Sequence, residues 1–148
     1  MLNQLEKEIG YIFGNRAYLA NALVHSSFSN EHRKEKVADN ERLEFLGDAV
    51  LELASSRYLF ERNPQDPEGR LSRLRAALVC EPSLAECARA IGLGQHLQLG
   101  VGEEKSGGRE RDSLLSDAFE AVIGAIFLDG GYPAAERFVY RFVMDKMI

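Results

Sequence analysis

Apolar residues recur at helical spacing along nearly the whole chain, and glycine, proline and asparagine interrupt them so as to mark out about seven or eight helices. Leu2, Leu5 and Ile9 line a first short helix that stops at Gly10, and Asn15 caps a second whose stripe is Tyr18, Leu19, Ala22 and Leu23, leading into His25, Ser26 and Ser27. Ser29 to Asp39 is polar and reads as a loop. A long helix is expected from about Asn40 to Glu61, with Leu43, Leu46, Val50, Leu53 and Ala54 on its apolar back. Pro64 to Pro67 forms a turn, and Leu71, Leu74 and Leu78 give the next helix, over 68–79, its periodicity. Pro82 opens another, with Leu84, Ala85, Ala88 and Ile91 inside and a stop at Gly92. The segment GVGEEKSGGRER, 100–111, is rich in glycine and charge and is expected to be a mobile loop or a terminal turn of the next helix. A strongly apolar helix over 113–128 ends at Asp129, Gly130 and Gly131, after which Pro133 opens a last helix through Phe138, Phe142 and Met147. No stretch alternates as a strand does, so the expected class is all-α.

Composition narrows the function classes. With 148 residues, 45% of them hydrophobic, the chain suits one domain with one continuous core. A net charge of −5 argues against a protein that grips nucleic acid through a broad basic surface, but not against an enzyme whose acids hold cations. The N-terminus lacks an apolar signal core and no apolar run is long enough to cross a bilayer, so a cytoplasmic protein without membrane contact is expected. Cys80 and Cys87 sit among helix-forming residues and are expected to be reduced core thiols. GVGEEKS lacks the glycine that precedes lysine in a phosphate-cradling loop, so no nucleotide cofactor is expected.

Candidate chemistry lies in two acidic groups. In NERLEFLGDAV, Glu41, Glu44 and Asp48 fall within about 60° of one another on a helix, opposite its apolar back. In LLSDAFEAVIGAIFL, Asp117 and Glu120 share a face with Gly124 on a helix otherwise apolar on nearly all sides. Buried carboxylates need a cation, a partner or a shifted pKa. Nearby arginines are one source. The other is a crossing of the two helices, with Gly124 permitting close approach, in which Glu44, Asp48, Asp117 and Glu120 gather around metal ions. Oxygen ligands favour Mg²⁺ or Mn²⁺, and such a site suits phosphodiester hydrolysis. Plainer alternatives stand beside this: a solvated acidic face for the first group, and dipole-favoured acids near a helix start for the second. Adjacent residues on a helix face different ways, so His25 with Ser26 and Ser27 is expected to make helix-end hydrogen bonds and not a nucleophile and base.

NERLEFLGDAV resembles the signature stretch of the ribonuclease III family, and SDAFEAVIGAIFLDGG resembles its second acidic motif. LVHSSF at 23–28 and PEGRLSRLRAALV at 67–79 resemble the intervening elements in the expected order, so the similarity covers essentially all of the chain. The resemblance implies that residues 1–148 form a ribonuclease III catalytic (endonuclease) domain, all-helical and homodimeric. Such a domain hydrolyses double-stranded RNA with Mg²⁺, Mn²⁺ being able to substitute, and leaves 5′-phosphate and 3′-hydroxyl ends in ribosomal RNA maturation and related processing. By position, Glu44, Asp48, Asp117 and Glu120 match the family's catalytic, metal-binding carboxylates. Glu41 and Glu68 match acids that assist at the cleavage centre, and Phe45 matches an aromatic residue that packs into the partner subunit. Two departures stand out. Bacterial members usually continue into a double-stranded-RNA-binding domain, whereas this sequence stops at Ile148; Val24 replaces a threonine often found before the histidine of the LVHSSF segment. The rival from another class is a non-catalytic RNA-binding or structural module with the same fold, which loss of acids would mark; none of the acids is lost.

Overall fold

The computed structural model describes residues 2–147. Eight α-helices are present among them: α1 (Leu2–Ile9), α2 (Arg16–Ala22), α3 (Ser26–Glu31), α4 (Glu41–Arg62), α5 (Glu68–Val79), α6 (Glu81–Ala90), α7 (Val101–Lys105) and α8 (Asp112–Phe142). Short 3-10 turns lie at Arg33–Glu35, Leu93–His96, Gly108–Glu110 and Met144–Met147. An isolated parallel bridge between Val24 and Gln98 is the only extended pairing among the described residues. The fold is all-α, as the periodicity predicts.

α8 is the element on which α2, α4 and α6 converge. Its sequence explains why: from Leu114 to Ile126 every residue is buried except Asp117 and Glu120, which are half-buried. Phe119, Val122, Ile123 and Ile126 meet Leu5, Leu19, Leu51 and Leu59 in the core, each such side chain contributing about 1.5–3 kcal/mol by leaving water. The helix breaks at Gly131, whose φ of 83° and ψ of 174° suit glycine alone, and Pro133 follows as the start of a second helical arm. The predicted stop at Asp129 to Gly131, with a new helix opening at Pro133, is thus present as this break.

The sequence expectations need four corrections. The polar segment after Ser29 is not all loop, because α3 and the Arg33–Glu35 turn occupy its first part. Leu53 is not on the apolar back of α4 but 58% exposed; the buried stripe runs through Leu43, Gly47, Val50, Leu51, Ala54, Ser55, Tyr58 and Leu59, and Leu53 falls outside that arc. Cys87 is buried as expected, whereas Cys80 is exposed at the start of α6, its thiol within 3.2 Å of the Ser83 hydroxyl. Residues 100–111 fold into α7 and a 3-10 turn, tied down by ion pairs of Arg109 with Glu104 and Arg111 with Glu103. Arg109 also donates to the carbonyls of Gly94 and Leu97, both at 2.8 Å. No described helix is long and apolar enough to cross a membrane.

Candidate active site

The acids come together because two glycines do. A side-chain carbon added to Gly47 of α4 would overlap the Glu120 carbonyl and lie 2.9 Å from the Gly124 nitrogen. One added to Gly124 of α8 would overlap the Leu43 carbonyl and lie 3.2 Å from the Gly47 nitrogen. The two backbones are thus in direct contact. Asp48 follows Gly47 and Glu44 precedes it by a turn, while Glu120 precedes Gly124 by a turn and Asp117 lies one turn further back. Backbone contact at the crossing therefore brings both acidic faces to one place. Glu44, Asp117 and Glu120 each offer a carboxylate oxygen, all within 4.8 Å of one another. Asp48, more exposed, lies beside the Glu120 carboxyl, as Asp117 lies beside that of Glu44.

Electrostatics sets these groups apart. Burial first, then the neighbouring carboxyls of Asp117, Glu41 and Asp48, push Glu44 up to about 7 from an ordinary 4.5. Burial and then Asp48, Glu44 and Asp117 push Glu120 up to about 9. None of the ion pairs among the described residues involves Glu44, Asp48, Asp117 or Glu120, so the arginines considered as partners do not neutralise them. Oxygen donors at this spacing, crowded by like charge and lacking a basic partner, fit a hard divalent cation, whose ligand oxygens lie about 2.0–2.6 Å from the ion.

The other predicted residues separate into two groups. Glu41, exposed at the start of α4, borders a cleft of about 50 Å³ together with His25, Ser26, Asn40, Glu44 and Asp117, and so adjoins the cluster. Glu68 does not. It lies at the start of α5, accepts the Ser72 hydroxyl at 2.6 Å and borders a different depression with Ser56, Phe60 and Arg75. Phe45 is 81% exposed and so takes no part in the core of this chain. Two contributors were not assigned to this site from sequence. Gly47 is the counterpart of Gly124, and its signal was the glycine inside an otherwise strong helix pattern between two acids of one face. His25 caps α3, the expected helix-end role, yet also reaches the cleft beside the acids.

Known proteins resemble the chain over nearly its whole length. The chain is 51% identical over 146 residues to Ribonuclease 3 of Oceanobacillus iheyensis, covering 99% of this chain and 64% of that protein. It is 56% identical over 133 residues to Ribonuclease 3 of Symbiobacterium thermophilum, covering 90% of this chain and 55% of that one. The chain thus spans a little over half to about two thirds of the length of these relatives. Two structures of the nuclease domain of ribonuclease III from Campylobacter jejuni, one described by its flexibility in the region involved in dimer formation, superpose with TM-scores of 0.91 and 0.89. Both are 45% identical to this chain, of which they cover 98%, and this chain covers 97% and 95% of them. With the Ribonuclease-III-like family model matching residues 15–147 as well, the chain belongs to the ribonuclease-III-like family.

Proposed function

We propose that residues 1–148 form the endonuclease domain of a ribonuclease III, which hydrolyses phosphodiester bonds of double-stranded RNA in a Mg²⁺-dependent reaction and leaves 5′-phosphate and 3′-hydroxyl ends. The single observation that carries this is the carboxylate cluster at the Gly47–Gly124 crossing, whose acids have one another for neighbours and no basic partner. Glu44, Asp48, Asp117 and Glu120 are the catalytic, metal-holding residues, and Mn²⁺ substitutes for Mg²⁺ at an all-oxygen site. The cation, when bound, lowers the pKa of water and screens charge on the leaving oxygen. The chain's own work is to hold four carboxyls in fixed array on two helices that cannot slide apart, with Glu41 assisting from the edge of the cleft.

The active form is a homodimer. Phe45, Leu53 and Phe60 are 81%, 58% and 71% exposed, and their spacing on α4 keeps them within about 80° of one another, an apolar stripe beside the acids. α5 buries none of its residues in this chain and runs alongside. Glu68 stands outside the cluster of its own subunit, so its assisting role depends on the dimer. The setting is ribosomal RNA maturation and related processing in the cytoplasm.

The test is cleavage of end-labelled double-stranded RNA at low salt, with Mg²⁺ or chelator, by wild type and Glu120→Gln. Cuts with 5′-phosphate ends that need Mg²⁺ and vanish in a folded Glu120→Gln support the proposal. RNA binding without cleavage by the wild type overturns it in favour of the non-catalytic module, and equal cleavage by both proteins means the centre lies elsewhere.

A further inference from the structure

His25 belongs to neither acidic motif, yet it is held from several sides. Its backbone N–H donates to the Gln98 carbonyl at 3.1 Å, and the Gln98 N–H donates to Leu23 at 2.8 Å. Asn40, which opens α4, donates its backbone N–H to Val24 at 2.8 Å and its side-chain amide to Ala22 at 3.0 Å. The imidazole is fixed as well. Its Nδ1 accepts the Ser27 N–H at 3.1 Å and lies 2.7 Å from the Ser27 hydroxyl, which itself accepts the Gly100 N–H at 2.8 Å. A side-chain carbon at Gly100 would stand 2.7 Å from the Ser27 carbonyl, so a glycine there lets the two segments meet.

This network decides the tautomer. A backbone N–H is only a donor, so Nδ1 presents its lone pair, and a neutral imidazole then carries its proton on Nε2. The Ser27 hydroxyl, already accepting from Gly100, donates its hydrogen to the same Nδ1. His25 therefore has one polar group left for the cleft it borders, an N–H donor. That cleft, about 50 Å³, has room for one or a few waters. Its acids, Glu41, Glu44 and Asp117, are acceptors when ionised; the Asn40 amide gives one of its two hydrogens to Ala22, and the Ser26 hydroxyl is a further donor in the wall. A water there can give both hydrogens to carboxylates, but its oxygen needs a donor.

We propose that His25 is a positioning residue of the acid cluster: its Nε2–H donates to a cleft water that hydrogen-bonds Glu44 and Asp117 and holds their oxygens ready for the cation. This rests on the nuclease function proposed above. Two substitutions separate it from a role in capping α3 alone. His25→Asn keeps a short acceptor for the Ser27 N–H but has nothing at the Nε2 position, whereas His25→Gln carries an amide donor out to that position and gives up the cap.

The experiment measures RNA cleavage with Mg²⁺, melting temperature and the imidazole ¹⁵N spectrum. The expected result is a proton on Nε2 in the wild type, and a His25→Asn that melts like wild type but has kcat lower by about 10- to 100-fold with KM little changed, the usual cost of losing a group that orients metal ligands. His25→Gln, though less stable, regains part of that loss. Wild-type cleavage by His25→Asn, a proton on Nδ1, or a His25→Gln no better than His25→Asn would overturn the proposal. Failure of the nuclease assignment looks different: wild type and variants are then equally inactive, and the positioning role falls with it.

Discussion

The first arm of α8 carries carboxylates near both of its ends, and the fold treats them in opposite ways. At the far end, Asp129 accepts the Tyr11 hydroxyl at 2.5 Å and the N–H groups of Gly14 and Asn15 at 2.8 Å each. The Tyr11 hydrogen bond, followed by those two amides, holds its pKa below the ordinary 3.8, while burial and then Asp129 push Tyr11 up to about 12. Glu6, only 3% exposed, also sits among donors, accepting the Phe13 N–H at 2.8 Å and the Arg16 guanidinium at 2.9 Å. At the near end, Asp117 and Glu120 meet further carboxyls, and burial with like charge raises the pKa values of Glu44 and Glu120. Where the fold uses an acid for itself it surrounds that acid with donors; where donors are withheld, the counter-charge comes from outside.

The largest effect that tests this contrast is on activity. Glu120→Gln is expected to lower cleavage by on the order of 10²–10³, the scale of removing one preorganised charge from a catalytic site, while raising the melting temperature of the cation-free protein. A fall in both, seen by scanning calorimetry with chelator present, would mean that Glu120 is structural. Gly47→Ala comes next. Because the added carbon meets backbone and not a flexible side chain, a loss of about 3 kcal/mol or more is expected in urea denaturation, above the usual range for overpacking. Asp129→Asn weakens three hydrogen bonds and removes no catalytic group, so about 1–2 kcal/mol of stability should go with cleavage per folded molecule unchanged.

The two regions should also respond to pH with opposite sign. Glu44 and Glu120 have raised pKa values when folded, so the cation-free protein loses stability as pH rises from about 4.5 through about 7 and towards about 9, because the folded state keeps protons the unfolded state has released. Saturating Mg²⁺ is expected to flatten that slope. Asp129 has a lowered value, so its contribution is complete above about 3.8 and is lost as pH falls through its folded pKa. Melting curves across pH, with and without chelator, check both slopes. The smallest effect is Phe45→Ala, which changes the stability of the isolated chain by less than about 0.5 kcal/mol, as at an exposed surface position, yet weakens dimerisation in sedimentation.

Helix positions, the apolar identity of α8 and both acidic faces were legible in the sequence because each is a local pattern with a 3.6-residue period. Gly124 stood out because it shares a face with two acids. Gly47 did not, since a glycine inside a strong helix has no local reason to be there; its reason is a backbone on another helix. Cys80 and Leu53 were misplaced for a related cause: periodicity gives a stripe but not its edges, which neighbours decide. Residues 100–111 looked mobile because Arg109 and Arg111 pair with Glu104 and Glu103 through a turn that composition does not announce. The cleft beside His25 joins residues from several parts of the chain, and only the folded arrangement brings them to one wall.

The glycine crossing has a kinetic consequence. Asp117 lies 73 positions beyond Glu44, so neither half of the cluster is a cation site until a distant segment has docked. Closing so long a loop belongs to the slow, non-local part of folding. If the crossing forms only after the rate-limiting barrier, a cation binding there leaves the refolding rate almost unchanged and slows escape from the native state. The acids that repel one another without a cation would then act, once charged with metal, as a latch on unfolding.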